Sequence, residues 1–192
     1  MKYIFLLFLL LVSFIFNGCA APFVFLGGIA TGAIVADDRR DSGTMLQDEG
    51  IELNARAALD DDIQLRDETH INITSFNHVV LLSGQAPTTI LRYRAETLVR
   101  KIPHVKLVYN EIFIASPSSV VARASDTFIT ARIKNEIFNN NYVNTNHVKV
   151  VTESGVAFLM GILTRTEADQ ATTAARGVHG VSKVVRLFEF LE

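Results

Sequence analysis

Few side chains in this 192-residue sequence are of the types that do chemistry, and none stand at spacings that would let them cooperate. The five histidines, His70, His78, His104, His147 and His179, include no pair at the i, i+4 spacing of a helical metal site and no HExxH. Asp60-Asp61-Asp62 offers adjacent carboxylates, but a calcium loop needs alternating ligands. This run reads instead as the solvated end of a helix. No Gly-x-Ser-x-Gly, Walker or dinucleotide-binding pattern occurs, so no nucleophile, base and orienting group converge. The expectation is a protein that is not an enzyme and has no metal and no cofactor. A formal charge of −2 gives no reason to expect nucleic acid as a partner. The single cysteine, Cys19, has no partner for an internal disulfide.

Cys19 is nevertheless well placed for covalent attachment. Residues 3–16, YIFLLFLLLVSFIF, form an apolar run behind one cation, Lys2. The run is too short to cross a bilayer comfortably as a helix, which takes about 20 residues. A basic start, a short apolar stretch and small residues make a secretory signal. A cysteine directly after such a stretch resembles the bacterial lipobox, in which the thiol receives diacylglycerol and becomes an acylated N-terminus once the signal is removed. Phe16 is bulkier than the usual Leu at its place. The alternative is an uncleaved membrane anchor extended by residues 20–36, although Pro22, Gly27, Gly28 and Gly32 weaken a helix there. Several acyl chains on one residue give stable attachment. Ala20 after the cysteine implies, by the lipoprotein sorting rule, the periplasmic face of the outer membrane. Residues 1–18 are thus expected to be a signal peptide and 19–43 a lipidated N-terminus and linker. The end of that linker, DDRRDSG at 37–43, reads as solvated.

A second group that could act on something outside the chain lies on one helix, residues 126–139, DTFITARIKNEIFN. At about 100° per residue, Ile129, Ile133 and Ile137 form one stripe, and Phe128 lies about 140° from its centre, with Phe138 on the same far side. Arg132 follows Phe128 by one turn and Lys134 is nearby. An outward ring beside cations suits a membrane surface, where the ring enters the acyl boundary and the cations meet anionic headgroups. On geometry alone the alternative stays open: Phe128 could pack against an earlier part of the chain.

The elements that carry these residues repeat at an offset of 76 to 78 residues. His70-Ile71-Asn72-Ile73 matches His147-Val148-Lys149-Val150, Leu82 and Gly84 match Leu159 and Gly161, and Asp48 and Ile51 match Asp126 and Ile129. Each copy reads as a helix with apolar residues every four, an alternating strand (71–75 or 148–152), and a short turn at Asn77 or Ser154-Gly155. A nearly continuous apolar strand (79–83 or 156–163), a second helix (88–101 or 165–177) and a last strand (105–114 or 181–191) follow. Thr164 with Glu167 makes a capping box. The order αββαβ gives an antiparallel hairpin and a right-handed parallel crossover. The fold class is therefore α+β, with each unit a three-stranded mixed sheet covered by two helices on one face. A unit of about 70 residues is marginal for a lone core, so the two are expected to support each other.

The hairpins closing on LLSG and FLMG, the turn Val178-His179-Gly180-Val181 and the segments INIT (71–74), VYNEI (108–112), SDTFIT (125–130) and VAFLMG (156–161) resemble BON domains. The likeness spans nearly all of the mature chain. It implies BON domains at 44–115 and 125–192, joined by a linker at 116–124. Pro103-His104 replaces the usual Gly before the last strand of the first copy, so a local change of turn geometry is expected. With the lipobox, the tandem resembles dual-BON outer-membrane lipoproteins. That resemblance implies that the first helix of the second BON domain binds anionic phospholipid. The site residues would be Phe128, Arg132, Lys134, Thr127, Ala131, Asn135 and Phe138, with lipid attached at Cys19. Phe128 stands where Trp is characteristic, and Trp prefers the interface more strongly. The resemblance further implies a role in envelope integrity, enrichment at division sites and a connection to the outer-membrane protein assembly machinery. Gly50 and Asn54 occupy the places of Phe128 and Arg132 in the first copy. Residues 44–115 carry net −3 against +1 for 116–192. Only the second copy is equipped for an anionic surface. The rival reading is a periplasmic adaptor whose two domains recognise protein partners.

Overall fold

The computed structural model describes residues 38–140 and 143–191. The expected signal peptide, Cys19 and the stretch 20–36 lie outside the described residues. Residues 37–192 form one compact unit. Among the described residues, no helix is long and apolar enough to cross a membrane.

The first repeat begins with α1 (Ser42–Asp60), capped by Asp41, whose carboxylate accepts from the Thr44 amide. Its buried residues are Asp48, Ile51, Ala55 and Leu59, one face of the helix. A short helix, α2 (Ile63–Glu68), follows and sets Leu65 in the core. The expected solvated run at 60–62 is thus partly structural, because Asp62 caps α2 by accepting from the Gln64 and Leu65 amides. Strand β1 (His70–Phe76) pairs antiparallel with β2 (Val79–Ala86) through the two-residue turn Asn77-His78, both at positive φ (53° and 67°). Helix α3 (Thr89–Val99) then returns the chain to β3 (Leu107–Ile114), parallel to β2.

The second repeat reproduces this path with α4 (Val120–Asn139), β4 (Val148–Glu153), β5 (Val156–Leu163), α5 (Arg165–Arg176) and β6 (Lys183–Phe190). A 3-10 turn at Thr145–His147 precedes β4. The sheet orders are β1-β2-β3 and β4-β5-β6. The capping box at Thr164 and Glu167 is present. Helix α4 starts at Val120, capped by Ser119, so residues 120–124 of the expected linker 116–124 are helical and only 115–119 lie between elements. Val-Val-Ala-Arg-Ala holds no breaker, and a serine cap one residue upstream is enough to start the helix there.

The central strands β2 and β5 are apolar on both faces because both are covered. Val80 and Leu82 face the helices of the first repeat, and Ala157 and Leu159 those of the second. The alternate residues, Leu81, Phe158 and Met160, join Phe76 and Leu187 in a third cluster built from both sheets. The sheets therefore pack on each other, with helices outermost, and Phe158 is fully buried between them. Burying such a side chain stabilises by about 1.5–3 kcal/mol. Each repeat supplies the other with a wall.

Two glycines fix the hairpins. A Cβ at Gly84 would lie 2.0 Å from the His70 carbonyl oxygen, and one at Gly161 2.4 Å from that of His147. The matched histidines are the backbone neighbours of the matched glycines. Asp48 and Asp126 are also equivalent. Asp48 accepts from the Asn77 and His78 amides and the Ser75 hydroxyl, and Asp126 from the Ser154 and Gly155 amides, so each ties a helix to its hairpin turn.

Residues 38–40, expected in a solvated linker, are partly buried against the folded unit. Arg40 lies over the Phe76 ring, 4.0 Å from its centroid, and donates to Asp38 and Asp48 at 2.8 Å. Arg39 reaches the second repeat, donating to the Ile162 carbonyl and forking onto Glu167. A buried carboxylate such as Asp48 demands a paired charge, and Arg40 supplies it. The turn before β3 also keeps its geometry without glycine: His104 has φ 70° where Gly180 has φ 98°. The closing hydrogen bonds, Val105 N to Ile102 O and Val181 N to Val178 O, correspond.

Candidate functional site

Helix α4 buries Asp126, Ile129, Ile133 and Ile137. Those positions cover one side, and everything opposite is left to solvent. Phe128 is 68% exposed and Phe138 71% exposed. The ring of Phe128 does not pack against the first repeat. Arg132, Lys134, Ala131, Asn135 and Thr127 are exposed as well. Neither Arg132 nor Lys134 makes an ion pair or side-chain hydrogen bond among the described residues. Unpaired cations beside an exposed ring keep both charge and apolar surface available.

The expected site residues do not all share one surface. Phe128, Ala131, Arg132 and Asn135 line a groove of about 400 Å³ between α4 and the turn 177–179. Lys134 and Phe138, one turn apart, lie about 120° and 80° around the helix from Phe128 on its other flank, taking about 100° per residue. Thr127 turns toward a cleft between the repeats, and its hydroxyl donates to the Arg123 carbonyl at 3.0 Å. Arg132 and Lys134 thus bracket the outward face rather than cluster on it.

Two parts of this surface escape a reading of the sequence. Val121 is 80% exposed, seven residues and about two turns before Phe128 on nearly the same face. Assigning 116–124 to a linker hides it, although its spacing to Phe128 is the signal. The turn Gly177–Gly180 forms the opposite wall. Gly180 packs closely on α4: a Cβ there would meet Ile129 Cδ1 at 2.9 Å. This close approach brings His179 alongside α4.

Elsewhere the charged groups have structural work. Glu167 is held down to about pKa 2, chiefly by the Arg39 hydrogen bonds, with Thr164 adding to the effect and burial opposing it. Burial tends to raise the Asp38 pKa, but the Arg40 guanidinium holds it below the ordinary carboxylate value. In the cleft between the repeats, buried Glu153 accepts from Asn72 and Gln85. Burial pushes the pKa of His70, at its edge, down, Arg123 and Arg56 add to this, and Glu153 opposes it. Among the described residues, no three His, Cys, Asp or Glu side chains gather as a metal site.

Two αββαβ units, each with a helix-to-hairpin aspartate and a hairpin glycine pressed on a carbonyl, define the class. The chain belongs to the BON domain family, which matches residues 47–116 and 125–192. Its relatives include the outer membrane lipoprotein DolP of Haemophilus influenzae, 34% identical over 176 residues, which are 92% of this chain and 90% of that protein. The 21 kDa hemolysin of Actinobacillus pleuropneumoniae is 37% identical over 81% of this chain and 80% of its own. Osmotically-inducible protein Y of Escherichia coli is 30% identical over 74% of this chain and 72% of its own.

Proposed function

We propose that this is a non-enzymatic lipoprotein of the outer membrane, anchored through Cys19 on the periplasmic face, whose second BON domain binds anionic phospholipid with the outward face of α4. The observation that carries this reading is Phe128, 68% exposed, with Arg132, unpaired among the described residues, one turn away. The similarity to a protein named outer membrane lipoprotein supports the location. Transferring a Phe ring from water contributes about 1.5–3 kcal/mol, and each cation near an anionic surface about 1 kcal/mol. The contact is therefore reversible by itself. On a chain already held at a bilayer, the raised local concentration makes it sufficient. Envelope integrity is the role this reading implies, with links to division and to outer-membrane protein assembly carried only by family resemblance.

The test is flotation with vesicles of phosphatidylcholine with or without phosphatidylglycerol. Residues 37–192 are the appropriate chain, because they hold all three apolar clusters together with Arg39, Arg40 and the Asp41 cap. Binding to the anionic vesicles that is lost in Phe128→Glu supports the reading, and equal behaviour of the two proteins defeats it. The adaptor reading draws on α1, where Leu46 and Leu53 are 68% and 72% exposed beside Glu49. It gains if vesicle binding is absent and a defined protein partner is lost on substituting those leucines.

A further inference from the structure

The groove beside Phe128 has two halves. One runs toward Asn135 and Glu136, and the other, of about 440 Å³, runs toward Val121 and Ser125. Phe128, Arg132 and His179 line both. The trough is therefore walled by α4 on one side and by the turn after α5 on the other, and each wall brings one nitrogen-bearing side chain, Arg132 or His179, to the space beside the ring. Resting on the phospholipid reading, we propose that His179 is part of the site, an imidazole that joins Arg132 at the headgroup phosphate and makes membrane binding tighten on acidification.

The position of His179 follows from the backbone. Gly180 packs against Ile129, and a Cβ at Gly155 would lie 3.1 Å from the Gly180 carbonyl, so the turn is wedged between α4 and the β4–β5 hairpin. His179 is exposed and makes no hydrogen bond or ion pair among the described residues. The charged groups facing it are Arg132 and Glu136, both from α4. The turn residues Gly177, Val178 and Gly180 bring none. Behind the turn, Asp126 is occupied in capping Ser154 and Gly155. A phosphate placed between Arg132 and His179 would favour the charged form of the ring, as any nearby opposite charge does. Histidine is the side chain whose charge changes between about pH 5 and 8, so the site gains a cation on acidification across that range, while a phosphodiester keeps its charge. One added charge at an anionic surface corresponds to about a five-fold gain in affinity.

The experiment is flotation of residues 37–192 with phosphatidylglycerol-containing vesicles at pH 7.5 and pH 5.5, with pure phosphatidylcholine as control. Wild type is expected to bind about five-fold more tightly at pH 5.5. His179→Gln is expected to lose that gain, and His179→Lys to bind at pH 7.5 as wild type does at pH 5.5. The imidazole resonances of His179, followed by NMR, are expected to titrate at higher pH when anionic micelles are added. No acid gain in wild type, an equal gain in His179→Gln, or an unmoved titration would overturn the proposal. Failure of the phospholipid reading shows separately, as no binding by wild type at either pH or as undiminished binding by Phe128→Glu.

Discussion

Arg39 and Glu167, 128 residues apart in sequence, meet through two parallel N–H···O bonds of 2.8 and 2.7 Å. The neighbouring Arg40 is fixed to Asp48 at 2.8 Å, so two consecutive arginines fasten the start of the folded unit to both repeats. With Arg39 and Glu167 24% and 16% exposed, the fork is shielded enough to matter. Arg39→Ala should lower stability by about 1–2 kcal/mol at pH 7 by urea unfolding. The Glu167 pKa is lowered in the fold to about 2, so its contribution is fully present above its ordinary value of 4.5 and is lost as pH falls toward 2. The gap between wild type and Arg39→Ala should narrow over that window.

Gly84 and Gly161 each lie against a carbonyl, whereas nothing lies within 4 Å of a Cβ at Gly50. Gly84→Ala and Gly161→Ala should each cost about 3 kcal/mol or more, because backbone must move. Gly50→Ala, in the interior of α1, should stabilise by about 0.5–1 kcal/mol. Thermal and urea unfolding followed by circular dichroism reads all three.

His104 holds φ 70° in the place that the second repeat gives to Gly180. A left-handed conformation is strained for a residue with a Cβ. His104→Gly should therefore raise stability by about 0.5–1 kcal/mol, net of the extra freedom of the unfolded chain. Gly180→Ala should do the reverse, because φ 98° is a backbone conformation that strains any residue with a Cβ.

Val121, 80% exposed, extends the apolar face of α4 beyond Phe128. Val121→Ser should weaken binding to anionic vesicles several-fold, less than Phe128→Glu does, while leaving urea unfolding within about 0.5 kcal/mol of wild type. Equal vesicle affinity would place the contact nearer the middle of the helix.

The fold is legible in the sequence because the signal is written twice. The apolar runs at 79–83 and 156–163 fix the central strands, and the Asp48–Asp126 and Gly84–Gly161 matches fix how helix and strand meet around them. What is missed depends on contacts distant in sequence. Arg39 looks solvated until Glu167 is brought to it, and no local pattern foretells a partner so far along the chain. The packing of sheet on sheet through Phe158 and Leu81 could be read only as two covered faces, without what covers them. In the site, helical periodicity turns Phe128 away from the sheet but leaves open whether the first repeat covers it, which only its 68% exposure answers. His179 has no such signal, because it comes from another element and reaches α4 only through the tight turn at Gly180.

The central claim is that α4 meets the bilayer through its outward face, and paramagnetic broadening tests it most directly. Amide and methyl signals of residues 37–192 would be recorded with phosphatidylglycerol-containing micelles carrying a spin label in the acyl region. The account predicts the strongest broadening at Val121 and Phe128, less at Arg132 and His179, and little on α1 or α3. Broadening centred on Leu46 and Leu53, or spread evenly over both repeats, would contradict it.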